Sequence, residues 1–114
     1  MFKFEKLEVW KKSVALYENV SKISNSIDKR EQFSLGEQIR RAALSISTNI
    51  AEGAGREGAK ESKYFFNVAK GSVYEVVSLF YIMKARDYLE NQDYKVLYQE
   101  CDEIAKMLSG LLTK

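Results

Sequence analysis

The chain has 114 residues, of which 46% are apolar and 30% charged, so it can form one domain with its own hydrophobic core. It contains no histidine, which excludes the usual near-neutral proton shuttle and metal ligand, and its single cysteine excludes an internal disulfide. The net charge of +2 is too small to indicate a nucleic-acid partner by itself, and the absence of proline favours helices.

The first periodic segment predicts a helix over residues 7 to 27. Its apolar residues recur at helical spacing in two neighbouring stripes. One stripe holds Val9, Leu16, Val20, Ile23 and Ile27, and the other holds Trp10, Val14 and Tyr17. The sequence DKREQF that follows has no period and is expected to form a connection.

A second helix is predicted over residues 35 to 54. Ser34 and Glu37 have the S-x-x-E spacing of a capping box, which places the helix start at Leu35. Positions 45, 47, 48 and 49 hold Ser, Ser, Thr and Asn, whose side chains compete for backbone hydrogen bonds. Contacts beyond local preference are therefore expected to maintain this helix.

Three glycines, Gly53, Gly55 and Gly58, predict a turn and a helix C-cap after the second helix. A phosphate cradle is the alternative interpretation. It is weaker, because the chain lacks P-loop spacing, a preceding strand and a Lys-Ser/Thr pair at this point.

The third helix is predicted over residues 59 to 88, with apolar residues over roughly half of its circumference. Tyr74, Tyr81 and Ile82 are expected on its solvent side. Gly71 is unfavourable in the middle of a helix, so together with Ser72 it predicts a point where another helix approaches closely.

A fourth helix is predicted over residues 92 to 112. Its apolar seam repeats at alternating spacings of four and three, through Leu97, Cys101, Ile104, Leu108 and Leu111. Cys101 is therefore expected to be a buried small hydrophobe. Because the connections are short, the predicted architecture is an all-α, antiparallel up-down-up-down four-helix bundle forming a single domain over residues 1 to 114.

The apolar surface exceeds what one slender bundle needs to cover. The double stripe of the first helix and the broad face of the third helix predict an exposed patch, and hence a homo-oligomer that uses those two helices. The alternative is a monomer with a slightly larger core and scattered surface aromatic residues.

Four stretches of the chain resemble one known family. They are the opening F-x-x-L-x-V-W-x-x-S at residues 4 to 13, QIRRAALSISTNIAEGAGR at 38 to 56, FFNVAKGSVYEV at 65 to 76, and EIAKMLSGLL at 103 to 112. Together they are similar to the bacterial four-helix bundle family, also called the 23S ribosomal RNA intervening-sequence protein family. One departure is that family members often carry a proline in the first interhelical loop, where this chain has Ile27-Asp28-Lys29.

The resemblance implies an up-down bundle that assembles into a ring-shaped pentamer. It implies little about activity, because the family is named for genes found inside ribosomal RNA insertions. A structurally similar accessory protein of diversity-generating retroelements is also pentameric and works with a reverse transcriptase and nucleic acid through a basic surface. By this analogy, nucleic-acid binding is the leading active role.

The basic residues support two interpretations. Arg41 lies one turn after Glu37 and is expected to pair with it, whereas Arg40 would suit a subunit contact. Alternatively, a strip of five cations contacts nucleic-acid phosphates and is made multivalent by a ring. The candidate residues for RNA or DNA are Arg40, Arg41, Arg56, Lys60 and Lys63.

Three polar residues of the second helix are assigned structural roles. Ser45 belongs to the polar string that runs toward the glycine turn, and Asn49 is expected to hold the second helix against the third near Gly71 and Ser72. Glu52 is expected either to pair with a neighbouring arginine or to cap the glycine turn.

No constellation in the sequence supports a reaction. A lone cysteine without histidine cannot build a zinc site, and no carboxylate has an evident titrating partner. The prediction is therefore a non-enzymatic protein without catalytic, cofactor or metal residues, acting either as a nucleic-acid-binding accessory factor or as a scaffold that contacts other proteins. The first ten residues lack the apolar core of a signal peptide and no membrane span is evident, so a cytoplasmic location is expected.

Overall fold

The computed structural model describes residues 1–114 and contains four α-helices and no strand. The helices are α1 (Glu8–Ile23), α2 (Glu37–Ala54), α3 (Ala59–Ala85) and α4 (Asn91–Leu112). Each helix packs against the next one in the chain, and α1 also packs against α4. The predicted all-α class with four helices is confirmed.

All four helices contribute to one hydrophobic core. Its largest fully buried side chains are Phe80, Leu16, Ile39, Ile46, Ile50, Met83, Ile104 and Leu108. Cys101 is buried among them, as its place in the α4 seam predicts. Burial raises the pKa of its thiol to about 12, because the thiolate would lose its hydration.

The connection between α1 and α2 is more ordered than the sequence indicates. The α-helix ends at Ile23, and short 3₁₀ turns follow at Ser24–Ser26 and Lys29–Glu31. A π-helical turn over Gln32–Gly36 then leads into α2. The apolar stripe continues to Ile27, which is buried beyond the helix, so periodicity alone extends the predicted helix too far.

The predicted capping box at Ser34 and Glu37 does not form. The Ser34 hydroxyl donates to the Glu31 carbonyl oxygen at 3.2 Å, while Glu37 pairs with Arg41. The π-helical turn brings helical backbone up to Gly36, which has φ −61° and ψ −49°. The first amides of α2 therefore need no side-chain cap, and the helix begins at Glu37 rather than Leu35.

The end of α2 lies at Ala54, as predicted, but its glycines differ in role. Gly55 caps the helix with φ −85°, which is not a left-handed conformation. Gly53 is buried in the last helical turn, where an added Cβ would lie 2.7 Å from a ring carbon of Phe66. Gly53 is therefore required for the close packing of α2 on α3 rather than for a turn.

The end of α3 lies at Ala85, three residues before the predicted boundary. Asp87 has φ 64°, the single non-glycine residue of the chain with a positive value. The amide of Tyr88 donates to the Met83 carbonyl oxygen at 2.8 Å, a pattern typical of a left-handed helix cap. Leu89 is buried after the cap, which explains why the apolar pattern does not mark the boundary.

Of the two helices predicted to form an exposed apolar patch, only α3 carries large exposed apolar residues. Tyr74, Tyr81 and Ile82 are exposed, as expected for the solvent side of α3. The second stripe of α1 is half-buried instead, and Trp10 and Tyr17 pack against the core of their own chain. Half of the patch predicted from the two helices is therefore absent.

Candidate functional site

A polar network joins α2 to α3 at the middle of both helices. The hydroxyl oxygens of Ser45 and Ser72 lie 2.9 Å apart. The Asn49 amide nitrogen donates to the Ser45 carbonyl oxygen at 2.8 Å and to the Ser45 hydroxyl at 3.0 Å. Asn49 therefore reaches α3 through Ser45.

The other hydroxyl residues of α2 bond within the helix itself. Ser47 and Thr48 both donate to the Leu44 carbonyl oxygen, each at 3.1 Å. Because these donors are satisfied locally, they do not need water or a partner in order to be tolerated in the helix. The helix that propensity disfavours is instead stabilised by the burial of its isoleucine side chains in the core, together with the Ser45–Ser72 contact.

Glu52 and Arg56 form an ion pair at the end of α2. Arg56 Nη2 lies 2.9 Å from Glu52 Oε2. Of the two roles predicted for Glu52, the structure therefore has the pairing with an arginine and not the capping of the glycine turn. The Arg56 guanidinium also lies over the ring of Phe65, 4.8 Å from its centroid. A cation over an aromatic face is held in a defined orientation.

The two adjacent arginines have different surroundings. Arg41 forms the predicted surface pair with Glu37 at 2.8 Å, and its side chain is 74% exposed. Arg40 is half-buried and donates to the Ser24 hydroxyl and to the side-chain oxygen of Gln32, both at 3.2 Å. Arg40 thus stabilises the connection between α1 and α2 through hydrogen bonds to uncharged acceptors.

The five candidate cations separate into two groups. Arg56, Lys60 and Lys63 lie around the turn between α2 and α3, and we call these three residues the basic turn. Arg40 and Arg41 lie near the other end of α2, roughly 22 Å from Arg56 at the helical rise per residue. A continuous strip of five is therefore not present within one chain.

Within the basic turn, the Lys63 side chain has a hydrogen-bond partner in the chain and the Lys60 side chain has none. The Lys63 ammonium donates to the carbonyl oxygen of Lys114 at 2.6 Å. Lys60 is exposed in the first turn of α3 and has no carboxylate within ion-pair distance. Three carboxylates, Glu52, Glu57 and Glu61, share this region of sequence with the three cations.

A charged cluster at the opposite end of the molecule is not evident from the sequence. Glu31 accepts a hydrogen bond from the Tyr88 hydroxyl at 2.5 Å and another from Arg86. These bonds lower the pKa of the Glu31 carboxyl, the Tyr88 bond contributing most, and the same bond raises the pKa of Tyr88. Because the partners lie more than 50 residues apart, no local spacing marks them.

A partly enclosed groove of about 230 Å³ lies between α3 and α4. Its lining is mainly apolar and includes Tyr74, Val77, Tyr98 and Cys101. With a pKa of about 12, the Cys101 thiol is protonated near neutral pH and is a poor nucleophile. No group of three or more potential ligand residues in the chain is arranged to hold a metal ion.

The family described as 23S rRNA-intervening sequence protein has a model that matches residues 5–110. The chain belongs to this family. The resemblance inferred from the four sequence stretches is thereby confirmed, and the match to the 23S rRNA-intervening sequence protein model includes all the candidate cations and α2 polar residues.

The fold of this 23S rRNA-intervening sequence family member is similar to a solved structure. That structure is a protein of unknown function from the S23 ribosomal protein family of Bacteroides thetaiotaomicron, with a TM-score of 0.85 and 20% identity. The alignment covers 93% of this chain and 99% of that chain. Comparison with curated proteins found no match. None of the four helices combines the length and apolar character needed to cross a bilayer.

Proposed function

We propose that this protein is a non-enzymatic helical bundle that acts as a homo-oligomer. The observation that carries the proposal is an exposed surface that we call the outer face of α3. It consists of eight exposed and uncharged residues: Tyr64, Asn67, Val68, Gly71, Tyr74, Ser78, Tyr81 and Ile82.

This outer face has fewer charged residues than the solvent side of a helix normally carries, with only Glu75 among its residues and Lys70 beside Gly71. A helix of a small soluble protein usually has an apolar stripe toward the core and charged residues opposite to it. The side of α3 opposite Val73 and Phe80 instead carries mainly tyrosines, small residues and aliphatic residues along the 19 positions from 64 to 82. A helix with apolar residues on more than its core side is typical of one that packs against a second partner, which supports a covering copy on this face.

We infer that the four helices run alternately up and down and that copies assemble as a ring, five by the family resemblance. The alternation is supported by contacts between α1 and α4. Lys12 pairs with Glu103 at 2.8 Å, and Asn19 donates to Glu100 at 3.3 Å, so residue numbers rise along α1 as they fall along α4. The cytoplasm is the proposed location of this assembly.

The oligomer is tested by measuring the mass of the purified chain in solution. Sedimentation velocity and light scattering at micromolar concentration should both give a multiple of the 13.1 kDa chain mass, with five copies as the proposed number. A single 13.1 kDa species at 100 times that concentration would reject the homo-oligomer.

Nucleic-acid binding through the basic turn is the second proposed function. It is favoured by one observation: the Arg56 guanidinium is oriented over Phe65, and the exposed, unpaired Lys60 follows Arg56 by four residues. Both can contact phosphate oxygens without breaking a buried interaction. A ring would repeat this pair once per copy, and multivalency would raise an otherwise weak affinity.

The local charge limits the strength of such a site. Glu52, Glu57 and Glu61 balance the three cations of the basic turn, so a single copy presents no net positive patch there. Binding to mixed-sequence RNA or DNA is therefore expected to be weak for one copy and to depend steeply on salt for the assembly. A scaffold that contacts other proteins without nucleic acid is the alternative.

Salt-dependent binding separates these two functions. An Arg56→Ala, Lys60→Ala double variant should reduce the slope of log affinity against log salt by about two for each engaged copy. Lys22→Ala, Lys95→Ala is the matched control, because both lysines are exposed, unpaired and distant in sequence from the basic turn. An unchanged slope in the first variant would reject the basic turn, and no binding at low salt would favour the scaffold.

A further inference from the structure

Gly71 lies at the centre of the outer face of α3, and nothing within the chain explains why the residue is a glycine. Its backbone is helical, without a positive φ, and a Cβ added there would meet no atom within 4 Å. At Gly53, in contrast, the nearby ring of Phe66 leaves no room for a Cβ. The predicted close approach at Gly71 is therefore not made by any helix of the same chain.

The missing side chain leaves an open depression of about 320 Å³ at this point. Asn67, Lys70, Gly71 and Tyr74 line it. Helices that pack against each other insert side chains of one into hollows of the other. A depression over a glycine allows an especially close approach of the opposing backbone.

We infer that a second copy of this chain docks on the outer face of α3, with its closest approach at Gly71. This inference rests on the homo-oligomer proposed above and names the surface through which the copies meet. Gly71 and Tyr74 supply the hollow and its wall, and a large side chain of the second copy fills the hollow.

The apolar area of the face agrees with what a stable interface needs. Tyr64, Tyr74 and Tyr81 are 64%, 65% and 56% exposed. At roughly 200 Å² for each aromatic side chain, they present on the order of 370 Å². Val68 and Ile82 increase this area. A standard interface buries about 800 Å² per partner, a little over half of it apolar.

The charge of the face favours a second copy over a different protein. Glu75 lies within this face and accepts a hydrogen bond from the side-chain amide of Gln38, so docking would strip water from no unpaired carboxylate there. Lys70 lines the hollow and Glu75 lies four residues after Gly71, so the two opposite charges leave the face without net charge and with little electrostatic steering toward a foreign partner. Contacts between identical copies are the more apolar class of interface, and they need no such steering.

Gly71→Arg tests the inference, with Gly110→Arg as the matched control. Gly110 is also exposed within a helix, α4, and an added Cβ there likewise meets nothing within 4 Å. Arginine is a better helix former than glycine, so both variants should keep the helical circular dichroism signal. We expect Gly71→Arg to weaken association at least tenfold by sedimentation velocity, and Gly110→Arg to leave the mass unchanged.

A second variant keeps the test decisive if Gly71→Arg fails to fold. Tyr74→Glu places a carboxylate on an exposed side chain of the same face and should dissociate the assembly as well. If the parent chain is an oligomer and neither variant changes its mass, the contact surface is overturned while the oligomer stands. A monomeric parent would overturn the oligomer, and the contact surface with it.

Discussion

Gly53 lies beneath the ring of Phe66, so close that a Cβ on Gly53 would come within 2.7 Å of the ring and 3.0 Å of the Ser62 carbonyl oxygen. The ring could tilt away, but the Ser62 backbone belongs to α3 and cannot move alone. This contact sets how near α2 approaches α3 at the glycine turn.

Gly53→Ala is therefore expected to destabilise the fold by about 1–3 kcal/mol, the usual cost of overpacking, although alanine is the better helix former. Urea unfolding followed by circular dichroism measures the change. Gly110→Ala has open space around it and should stabilise by about 0.5–1 kcal/mol. A higher urea midpoint for Gly53→Ala than for the parent would show that α2 and α3 have room to separate.

The Ser45–Ser72 contact is expected to show energetic coupling in a double-mutant cycle. Ser72 is only 9% exposed, so Ser45→Ala leaves its hydroxyl without this partner and should cost about 1 kcal/mol. Removing both hydroxyls should cost less than the sum of the two single changes, with a coupling of about 0.5–1 kcal/mol. Strict additivity in urea unfolding would mean that the two hydroxyls do not stabilise each other.

Acid stability is expected to depend on Glu31. The pKa of this carboxyl is lowered from its ordinary value of 4.5, mainly by the Tyr88 hydroxyl and then by Arg86. The folded chain therefore binds fewer protons at this position than the unfolded chain, so the stabilisation is present above pH 4.5 and is lost as pH falls through the lowered value.

Glu31→Gln should reduce stability near neutral pH and make the acid limb of the stability curve less steep. The measurement is thermal unfolding between about pH 2 and pH 7, a range that begins roughly two pH units below the ordinary carboxyl pKa values and ends at neutral pH. Glu57→Gln is a suitable control, because Glu57 is exposed and has no hydrogen-bond partner in the chain. Identical acid limbs for the parent and Glu31→Gln would reject the assignment.

The left-handed backbone at Asp87 predicts opposite effects for two substitutions. Asp87→Val should destabilise by about 1–2 kcal/mol, because a β-branched residue is strained at φ 64°. Asp87→Gly should be tolerated or slightly stabilising, since glycine adopts this conformation without strain. Urea midpoints of the two variants give the comparison, and equal midpoints would contradict the role of backbone strain at this cap.

The four helices can be predicted from the sequence because the apolar residues of each recur at helical spacing and are the ones that pack into the core. Their ends are less predictable, since they depend on contacts between distant parts of the chain. The buried Ile27 and Leu89 extend the apolar pattern beyond the helices that precede them. The capping box at Ser34 fails for a related reason, because the π-helical turn before α2 is maintained by Gln32 and Arg40 across the connection.

The candidate site is predictable only where its contacts are local. The pairs Glu37–Arg41 and Glu52–Arg56 are one helical turn apart, and spacing alone indicates them. The surroundings of Arg40 and the bond from Tyr88 to Glu31 join separate elements, and no sequence period marks them. Within the second stripe of α1, the exposure of Trp10 is misjudged because the ring of Phe4, from a segment that precedes the helix, packs against it with centroids 4.7 Å apart.

The burial of Cys101 gives the chain a practical property. The residue is buried, and because burial raises the pKa of its thiol to about 12, we expect it to react slowly with maleimides near neutral pH. A cysteine introduced at an exposed position should take up a fluorophore or a spin label much faster than Cys101 does. Distances between copies in the proposed oligomer can therefore be measured by energy transfer or electron resonance without first replacing the native residue.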